Sequence, residues 1–533
     1  MNLADIFEYV ALAVPDREAL VAGARRYNYR ELNARANRLA NYWLQQGIKP
    51  GDTIGVLAQN RGEWVEAMLA AFKIRAVPVN INFRYVASEL DHLFRDAELK
   101  ALVLERRYIH QVQQALPLPQ YLLLDSDDGR AADAELAGAV DYEQALASTD
   151  ESQDFPARSG DDIYMLYTGG TTGVPKGTLW RHEDIFYAAL KGGNPMGEPI
   201  ASLQELDALL PNSAMTIFTP APLMHGGGQW TALITVLSGG RFVMYCEGRF
   251  DAHRVWQIVA REQCNSLLIV GDAMGRPLAE ALEEVDYELS ALFVISSGGA
   301  ILSSAVKTLL CEKLPNVFML DSHGSTETGH NGSMVDVQLP DGEQGVRFQL
   351  ADCAAVLDQQ LVPVASGETG MLARRGHIPL GYHNDPAKTA STFVSDRQGT
   401  RWVLTGDYVR RHEDGQAEFL GRGSGCINSG GEKVFAEEVE AVLTAHPDVL
   451  DAAVVATPCP RFGQQVTAVV QLRENRELSL QALNDFARPQ LARYKLPRAL
   501  LIIDTLPRTP AAKPDYGRIK AYAERTLVHE EES

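Results

Sequence analysis

Residues 167–177 form the segment of this sequence whose composition most directly indicates chemistry. Its sequence, YTGGTTGVPKG, brings glycines, threonine hydroxyls and one lysine together in a short stretch. Glycine lets the backbone approach an anion closely, hydroxyl groups donate hydrogen bonds, and lysine supplies a mobile positive charge. The segment therefore predicts a loop that grips and releases a polyphosphate, and the alternative is a solvated turn. The predicted phosphate-contacting residues are Thr168, Gly169, Gly170, Thr171, Thr172, Gly173 and Lys176.

The same segment lacks the order of residues that defines a P-loop NTPase. That motif places its lysine after a glycine and before a serine or threonine, at the start of a helix. Here Lys176 follows Pro175 and precedes Gly177. Proline removes one backbone donor and resists continuation into a helix, so a different kind of phosphate site is expected.

Four further segments contain glycines, hydroxyl groups or charged side chains close together. SSGGAIL, over residues 296–302, has two adjacent glycines, and DSHGSTETG, over 321–329, has carboxylates beside hydroxyl groups. Asp407 lies in TGDYVRRHEDGQAEFLGR and can accept two hydroxyl hydrogens, although an Asp after Gly406 is also typical of a turn. Lys513, in LPRTPAAKPDYGRIK, would by itself be typical of an ordinary surface lysine.

The elements that must position these residues alternate between helix and strand along most of the chain. The apolar spacing of residues 29–47 predicts a helix that ends at Gly47, and TIGVLAQN, after it, predicts a buried strand. Such alternation favours parallel α/β sheets. From about Arg422 the pattern changes to a compact α+β unit. The glycine-rich LGRGSGCINSGG suits a hinge at this change, and the alternative is a plain interdomain turn.

Composition limits the classes of partner. The 533 residues are too many for one core, so at least two domains are expected. The net charge of −20 argues against nucleic acid as a partner. No apolar run is long enough to span a bilayer, and the N-terminal stretch predicts an amphipathic helix rather than a signal peptide. The six scattered cysteines show no metal or disulfide spacing, so a cytoplasmic protein is expected, and a homodimer is compatible with the sequence.

Taken in order, these motifs resemble those of the adenylate-forming enzymes, the superfamily of acyl-CoA synthetases, luciferases and peptide-synthetase adenylation domains. The resemblance implies an α/β fold with a large N-terminal domain, residues 1–421, of stacked subdomains with mostly parallel sheets and a small β-rich region. It implies a small mobile α+β C-terminal domain, residues 422–533, that carries the catalytic lysine. The implied reaction uses ATP, Mg²⁺ and coenzyme A: a carboxylic acid becomes an acyl-AMP, pyrophosphate leaves, and the acyl group passes to the CoA thiol.

The resemblance also implies a role for each matching residue. Lys513 would bridge the attacking carboxylate and the α-phosphate, Thr326 would bind the α-phosphate, and Glu327 would hold Mg²⁺. His225, in TPAPLMHGGGQW, would flank the carboxylate of the acid. The other implied contacts are Gly298, Gly299, Ala300, Asp321, Ser322 and His323 at adenine, Asp407 and Arg422 at ribose, and Gly430 and Gly431 at the pantetheine arm of CoA.

The acid itself is indicated by two features. The glycines at 226–228 after His225 predict unfilled volume, which favours a long or bulky acid over acetate; the alternative is a glycine turn at the start of a helix. YTGGTTGVPKG followed by WRHEDIF, together with PLMHGGGQW, resembles a branch of acyl-CoA synthetases that act on steroid side-chain acids and related fatty acids. A medium- or long-chain fatty acid is the second candidate. A ligase that loads a carrier protein and a non-catalytic nucleotide-binding descendant are the alternative functions.

Overall fold

A computed structural model of the chain describes residues 1–124, 135–169, 175–300, 302–335, 346–429, 432–459, 463–491, 493–509 and 513–531. The α-helices within these ranges are α1 (Leu3–Ala13), α2 (Tyr29–Gln45), α3 (Gly62–Lys73), α4 (Ala87–Asp96), α5 (Ile109–Val112), α6 (Tyr142–Ala147), α7 (His182–Ala188), α8 (Leu206–Leu209), α9 (Gly226–Leu237), α10 (Ala252–Arg261), α11 (Gly271–Glu284), α12 (Ser304–Lys313), α13 (Pro386–Thr392), α14 (Ala436–Thr444), α15 (Leu480–Ala487) and α16 (Tyr516–Glu531).

The strands of the described residues lie in three sheets. In chain order they are β1 (Glu18–Ala22), β2 (Arg25–Asn28), β3 (Thr53–Leu57), β4 (Val77–Asn80), β5 (Ala101–Glu105), β6 (Gln120–Leu124), β7 (Ala139–Asp141), β8 (Ile163–Gly169), β9 (Pro175–Arg181), β10 (Thr216–Thr219), β11 (Arg241–Met244), β12 (Ser266–Ile269), β13 (Val294–Gly298), β14 (Phe318–Ser325), β15 (Gly329–Val335), β16 (Val346–Leu350), β17 (Ala354–Leu357), β18 (Thr369–Arg375), β19 (Gly381–Tyr382), β20 (Phe393–Ser395), β21 (Arg401–Arg411), β22 (Gln416–Arg422), β23 (Cys426–Ser429), β24 (Glu432–Phe435), β25 (Val449–Cys459), β26 (Gly463–Leu472) and β27 (Ala499–Ile502).

The first sheet has two parts with different strand directions. Its order among the described strands is β17-β18-β21-β22-β16-β15-β14-β13-β12-β10-β11-β1-β2, with β20 on β21. Neighbours from β14 through β13, β12, β10 and β11 to β1 run parallel, whereas neighbours from β14 to β17 pair antiparallel. The antiparallel part corresponds to the small β-rich region that the resemblance implies.

The second sheet has the order β19-β9-β8-β4-β3-β5-β6-β7 and is parallel from β8 to β7. Its other edge is antiparallel, because β8 and β9 form a hairpin and β19 pairs with β9. Parallel strands need a crossover connection, and the helices predicted between strands supply it. The third sheet, β24-β23-β26-β25 with β27 on β26, lies wholly in the C-terminal part of the chain.

Alternating side chains on the strands divide the core into layers. Leu20 of β1 belongs to the same buried cluster as Ile54 of β3, so one apolar layer joins the two large sheets. The next residue, Val21, belongs to a second cluster with Trp256 of α10, on the other face of the first sheet. Leu57 belongs to a third cluster with α4. The parallel part of each large sheet is therefore buried on both faces, which is typical of parallel α/β sheets.

The C-terminal sheet has cores of its own on its two faces. Val439 of α14 packs in one cluster with Val454 and Ala468, which lie opposite each other in the pairing of β25 with β26. Ile519 of α16 packs in another cluster with Val469, the next residue along β26. Leu483 of α15 belongs to the first cluster as well, so α14 and α15 cover one face and α16 covers the other, as expected for a compact α+β unit.

The predicted fold class, a large α/β domain followed by a small α+β domain, is confirmed. The exact division at 421/422 stays a prediction. It falls near a change of sheet, because β22 of the first sheet ends at Arg422 and β23 of the third begins at Cys426.

Candidate active site

The candidate site lies where several strands of the two large sheets end. Thr168 and Gly169 end β8, Gly298 ends β13, and Ser322 lies near the end of β14. In open α/β sheets, ligands bind outside the carboxyl ends of parallel strands, because loops there can be shaped without disturbing the core. The segment expected to contact adenine, residues 296–302, is called the adenine segment, and residues 321–329 are called the acidic motif. These two segments are direct neighbours, since Gly298 is paired with Ser322.

The predicted phosphate segment is the end of a β-hairpin. Thr168 is paired with Lys176, and Gly169 with Pro175, across β8 and β9. Lys176 thus lies in a strand rather than at the start of a helix, in agreement with the distinction from P-loop NTPases. The predicted contacts Gly170, Thr171, Thr172 and Gly173 lie outside the described residues.

Two side chains fix the base of this hairpin. Asn80, which is buried, accepts a hydrogen bond from the Tyr167 backbone N–H and donates to the Tyr167 and Met224 carbonyl oxygens. The Tyr167 hydroxyl donates to Asp96 Oδ2 over 2.5 Å. Met224 comes directly before His225, so Asn80 ties the phosphate hairpin to the segment expected to flank the acid.

The acidic motif forms a tight hairpin between β14 and β15. Gly324 must be glycine, because a Cβ atom there would lie 2.1 Å from the Gly329 carbonyl oxygen. Gly329 has a φ of 65°, a conformation that glycine adopts readily. The Trp180 indole donates to the Thr326 carbonyl oxygen over 2.9 Å. The turn that carries Thr326 and Glu327 is therefore fixed by the close approach of Gly324 to Gly329 and by the hydrogen bond from Trp180.

Glu327 has a partner that the sequence does not reveal. The Tyr382 hydroxyl donates to Glu327 Oε1 over 3.0 Å. Tyr382 lies in β19 of the second sheet, whereas Glu327 lies in a turn of the first. Burial, followed by the charge of Glu327, raises the pKa of Tyr382, so the phenol stays a hydrogen-bond donor at neutral pH.

The adenine-site residues are only partly as expected. Gly299 has a φ of 79°, and the nearest heavy atom to a Cβ there would be 4.0 Å away, so the backbone is open to a flat group. Ala300 follows it. Asp321 is already paired with Lys307, with 2.6 Å between the Oδ2 and Nζ atoms. This ion pair occupies a carboxylate that the resemblance assigns to the nucleotide.

His323 also has partners within the protein. Its ring stacks on Phe348, with 4.6 Å between the ring centroids and 2° between the planes. Its Nε2 atom lies 3.4 Å from Asp407 Oδ2. A base that stacks on His323 would have to use the face of the imidazole opposite Phe348.

The predicted ribose pair is brought together by strand register. Asp407 is paired with Arg422 across the antiparallel strands β21 and β22. Asp407 is buried within β21, and its backbone N–H donates to the Thr405 hydroxyl. Its position inside a strand excludes the alternative of an exposed turn residue.

The expectation of unfilled volume after His225 is largely wrong. The glycines form the first turn of α9, as in the alternative interpretation. A Cβ atom at Gly226 would lie 2.9 Å from Leu166, and one at Gly228 would lie 2.5 Å from the Pro222 carbonyl oxygen. Only Gly227, among these three, has no neighbour within 4 Å. The glycines serve mainly to let α9 begin close to neighbouring backbone.

His225 lies near charges from both parts of the chain. Burial, and then the charges of Arg84 and Lys513, lower the pKa of His225 to about 4. The imidazole is therefore neutral at pH 7. Its Nε2 atom is buried and has no hydrogen-bond partner within the described residues. A neutral ring with an unused nitrogen, near two cations, is suited to an anionic group such as a carboxylate.

Lys513 lies in the C-terminal part, in the connection between β27 and α16. The Thr509 backbone N–H donates to the Lys513 carbonyl oxygen over 2.7 Å, and the backbones of Arg508 and Pro514 pair in an isolated antiparallel β-bridge. The Lys513 side chain is exposed, yet its charge reaches His225. The C-terminal part also packs on β21, because the Tyr408 and Phe435 rings lie 5.3 Å apart. Gly430 and Gly431 lie outside the described residues.

The chain is similar to enzymes with related names over nearly its whole length. It is 43% identical to a 3-oxocholest-4-en-26-oate–CoA ligase of Rhodococcus rhodochrous, over 97% of this chain and 95% of that protein. It is also 43% identical to a medium/long-chain-fatty-acid–CoA/3-oxocholest-4-en-26-oate–CoA ligase of Mycolicibacterium smegmatis, over 99% of this chain and 98% of that protein.

Solved structures share the fold. ATP-bound MatB from Rhodopseudomonas palustris superposes with a TM-score of 0.81 at 25% identity, covering 98% of this chain and 99% of that chain. The anthranilate CoA ligase AuaEII, in complex with anthranoyl-AMP, superposes with a TM-score of 0.83 at 21% identity, covering 99% and 98%.

Within the described residues, no helix is long and apolar enough to cross a membrane.

The family assignment follows from both parts of the chain. Residues 7–383 match the AMP-binding enzyme family, and residues 438–513 match the C-terminal domain of the same enzymes. The resemblance seen in the motifs is confirmed: the chain belongs to the AMP-binding enzyme family.

Proposed function

We propose that the protein is an ATP-dependent acyl-CoA synthetase that acts on a steroid side-chain acid or a medium- or long-chain fatty acid. The observation that carries this proposal is strand register: Gly298 of the adenine segment is paired with Ser322 of the acidic motif, and Asp407 is paired with Arg422. The charge of Lys513, from the C-terminal part of the chain, contributes to the lowered pKa of His225. A cation would thus be available near the residue expected to flank the carboxylate.

The first step brings two anions together, so positive charge is its main requirement. A carboxylate oxygen of the acid attacks the α-phosphorus of ATP, the bond to the β-phosphate oxygen breaks, and pyrophosphate leaves. Lys513 would contact both anions, and Lys176 would contact the leaving pyrophosphate. Catalysis of this kind depends on positioning and electrostatics. His225, being neutral, would orient the carboxylate without adding charge to it.

The second step starts from the acyl-AMP, in which AMP is already a good leaving group. The CoA thiolate attacks the carbonyl carbon of the acyl-AMP, and the bond to the phosphate oxygen breaks, so that AMP leaves with the electron pair. The products are an acyl thioester and AMP.

The residues around Glu327 fit Mg²⁺. Within the part of the chain that the structure describes, no group of three or more His, Cys, Asp or Glu residues could hold a metal by itself. Mg²⁺ is usually bound by one or two carboxylates together with substrate phosphates and water. Glu327 would supply this carboxylate, with Tyr382 fixing one of its oxygens. The bound cation would offset negative charge on the phosphates.

The substrate class is supported by the names of the relatives rather than by a measured cavity. Both relatives described above are CoA ligases, and both names include 3-oxocholest-4-en-26-oate. The name of the second also includes medium- and long-chain fatty acids. We therefore rank these acids above acetate and aromatic acids, and free CoA above a carrier-protein thiol.

The test is a search for thioester products. The full-length protein is incubated with ATP, Mg²⁺, CoA and one acid at a time, from C2–C18 fatty acids, aromatic acids and steroid side-chain acids. Mass spectrometry of the CoA thioesters should show the highest yield with steroid or longer fatty acids, and pyrophosphate should be released in equal amount. Product formation only with a phosphopantetheinylated carrier protein would favour that alternative. No pyrophosphate with any acid would indicate a non-catalytic protein.

A further inference from the structure

The lysine expected to hold pyrophosphate already has an anionic partner. Lys176 Nζ lies 2.5 Å from Asp385 Oδ2, and the two side chains are 26% and 28% exposed. Asp385 does not belong to the phosphate hairpin. It follows Asn384, shortly after the end of β19, in a segment distant in sequence from Lys176.

Strand pairing brings Asp385 to this position. Tyr382 in β19 is paired with Thr178 in β9, and the His383 backbone N–H donates to the Gly177 carbonyl oxygen over 2.7 Å. Asn384 has a φ of 51°, which turns the chain after the strand. The partner of Lys176 is thus fixed by backbone hydrogen bonds and not by the flexible lysine alone.

The Asp385 carboxylate divides its two oxygens between two tasks. Oδ1 accepts from the Lys388 backbone N–H over 2.9 Å and caps α13, whose first residue is Pro386. Oδ2 faces Lys176. The hydrogen bond from Lys176, followed by the one from Lys388, lowers the pKa of Asp385, so the group is ionised at neutral pH.

We propose that Asp385 is a resident counter-ion of Lys176, which the pyrophosphate end of ATP must displace. The inference rests on the proposed function, because that function assigns Lys176 to pyrophosphate. A lysine ammonium has three donors but one position, so a phosphate that recruits it competes with the carboxylate. The same carboxylate repels the phosphate. Asp385 therefore weakens the hold on pyrophosphate and speeds its departure once the acyl-AMP has formed.

Asp385→Asn separates this charge from the structural task of the residue. An asparagine oxygen can still accept from the Lys388 N–H and cap α13, whereas the negative charge is lost. Isothermal titration calorimetry of the full-length protein with inorganic pyrophosphate and Mg²⁺ measures the effect. We expect the Kd for pyrophosphate to fall by up to about fivefold, the upper end of the range for exposed ion pairs. The gain should shrink as salt is added.

A second variant and a double variant keep the test independent of folding. Asp385→Ser also preserves a capping oxygen and should tighten pyrophosphate binding in the same direction. In a Lys176→Ala background, Asp385→Asn should have a smaller effect, because the two groups are coupled. Asp16→Asn removes the charge from an exposed pair with Arg30 and serves as the matched control, with no change in Kd expected.

The outcomes distinguish this inference from the proposed function. Equal Kd values for the parent protein and both Asp385 variants would overturn the inference alone, and so would weaker binding in variants that unfold at the parent Tm. If neither the parent nor the variants bind pyrophosphate, the inference and the assignment of Lys176 both fail. The thioester assay still decides, separately, whether the protein is a CoA ligase.

Discussion

The Tyr382 hydroxyl donates to Glu327 Oε1 over 3.0 Å and thereby joins the two large sheets at the candidate site. The tyrosine comes from the edge strand β19, and the glutamate from the turn between β14 and β15. A carboxylate with one oxygen fixed in this way has fewer orientations available, so less ordering is needed when it contacts a cation.

Tyr382→Phe should therefore raise the Mg²⁺ concentration needed for half-maximal adenylate formation. Hydrogen bonds to charged groups contribute about 1.5–3 kcal/mol, so we expect roughly a tenfold rise or more. The phenylalanine ring retains the edge contact with Phe393. Pyrophosphate release is measured across a Mg²⁺ titration. Tyr9→Phe, which removes a surface hydrogen bond to Asp207, is the matched control. An unchanged Mg²⁺ dependence in Tyr382→Phe would refute the positioning role.

Lys513→Ala should separate the two half-reactions. Removal of one well-placed charge costs on the order of 10²–10³ in rate, so formation of acyl-AMP from acid and ATP should fall by about that factor. Formation of the thioester from supplied acyl-AMP and CoA should stay within a few-fold of the parent rate, because it does not require the two anions to meet. Both rates are measured by mass spectrometry. An equal loss in both would contradict the assigned role.

Gly324→Ala should disrupt the hairpin that carries Thr326 and Glu327. The new Cβ would lie 2.1 Å from the Gly329 carbonyl oxygen, and this contact can be relieved only by moving backbone. We expect a loss of about 2–3 kcal/mol in the free energy of unfolding, typical of overpacking, together with weaker Mg²⁺-dependent activity. Urea unfolding measures the first effect. Gly517→Ala, in α16, meets only an ordinary contact at 3.5 Å and should be neutral or slightly stabilising.

Acidification should destabilise the protein through buried neutral histidines. His182 is fully buried, its Nδ1 accepts from the Leu3 backbone N–H, and burial lowers its pKa from 6.5 to about 3. Between these values the unfolded chain binds a proton that the folded protein does not. The stability due to this group is fully present above about pH 6.5 and decreases as the pH falls below it.

For His182 alone the loss between pH 7 and pH 5 should be about 2 kcal/mol. Urea unfolding at the two pH values measures it. His182→Asn offers an oxygen to the Leu3 N–H but does not titrate, so its stability should decrease less over the same interval. If the variant and the parent protein lose the same free energy, His182 does not contribute to acid sensitivity.

Local patterns in the sequence predict much of the fold. The helix over residues 29–47 is found as α2, where Asn28 and Glu31 form a capping box, and TIGVLAQN contains β3. The adenine, acidic and ribose motifs fall at strand ends or in paired strands, and the roles of their residues stay predictions. The helix and strand predictions succeed because periodicity and capping act over a few residues.

The contacts that the sequence does not reveal are made between distant segments. Nothing local to Tyr382 or Asp385 indicates that β19 pairs with β9, and this pairing alone brings them to Glu327 and Lys176. An Asp directly before a Pro, as at 385–386, is typical of the start of a helix. The sequence does not show that the same carboxylate also pairs with Lys176. The glycines after His225 suggest open volume only because a sequence does not show which backbone approaches them.

The hairpin form of the phosphate segment has a consequence for turnover. Where a helix begins at a phosphate, its aligned peptide dipoles add a fixed attraction that remains after the reaction. Lys176 extends from a strand, so its own part of the attraction comes from one ammonium group that can rotate away. Under the proposed function, pyrophosphate would depart while the acyl-AMP stays bound at the ends of β13 and β14, and the order of product release would depend on the motion of the Lys176 side chain.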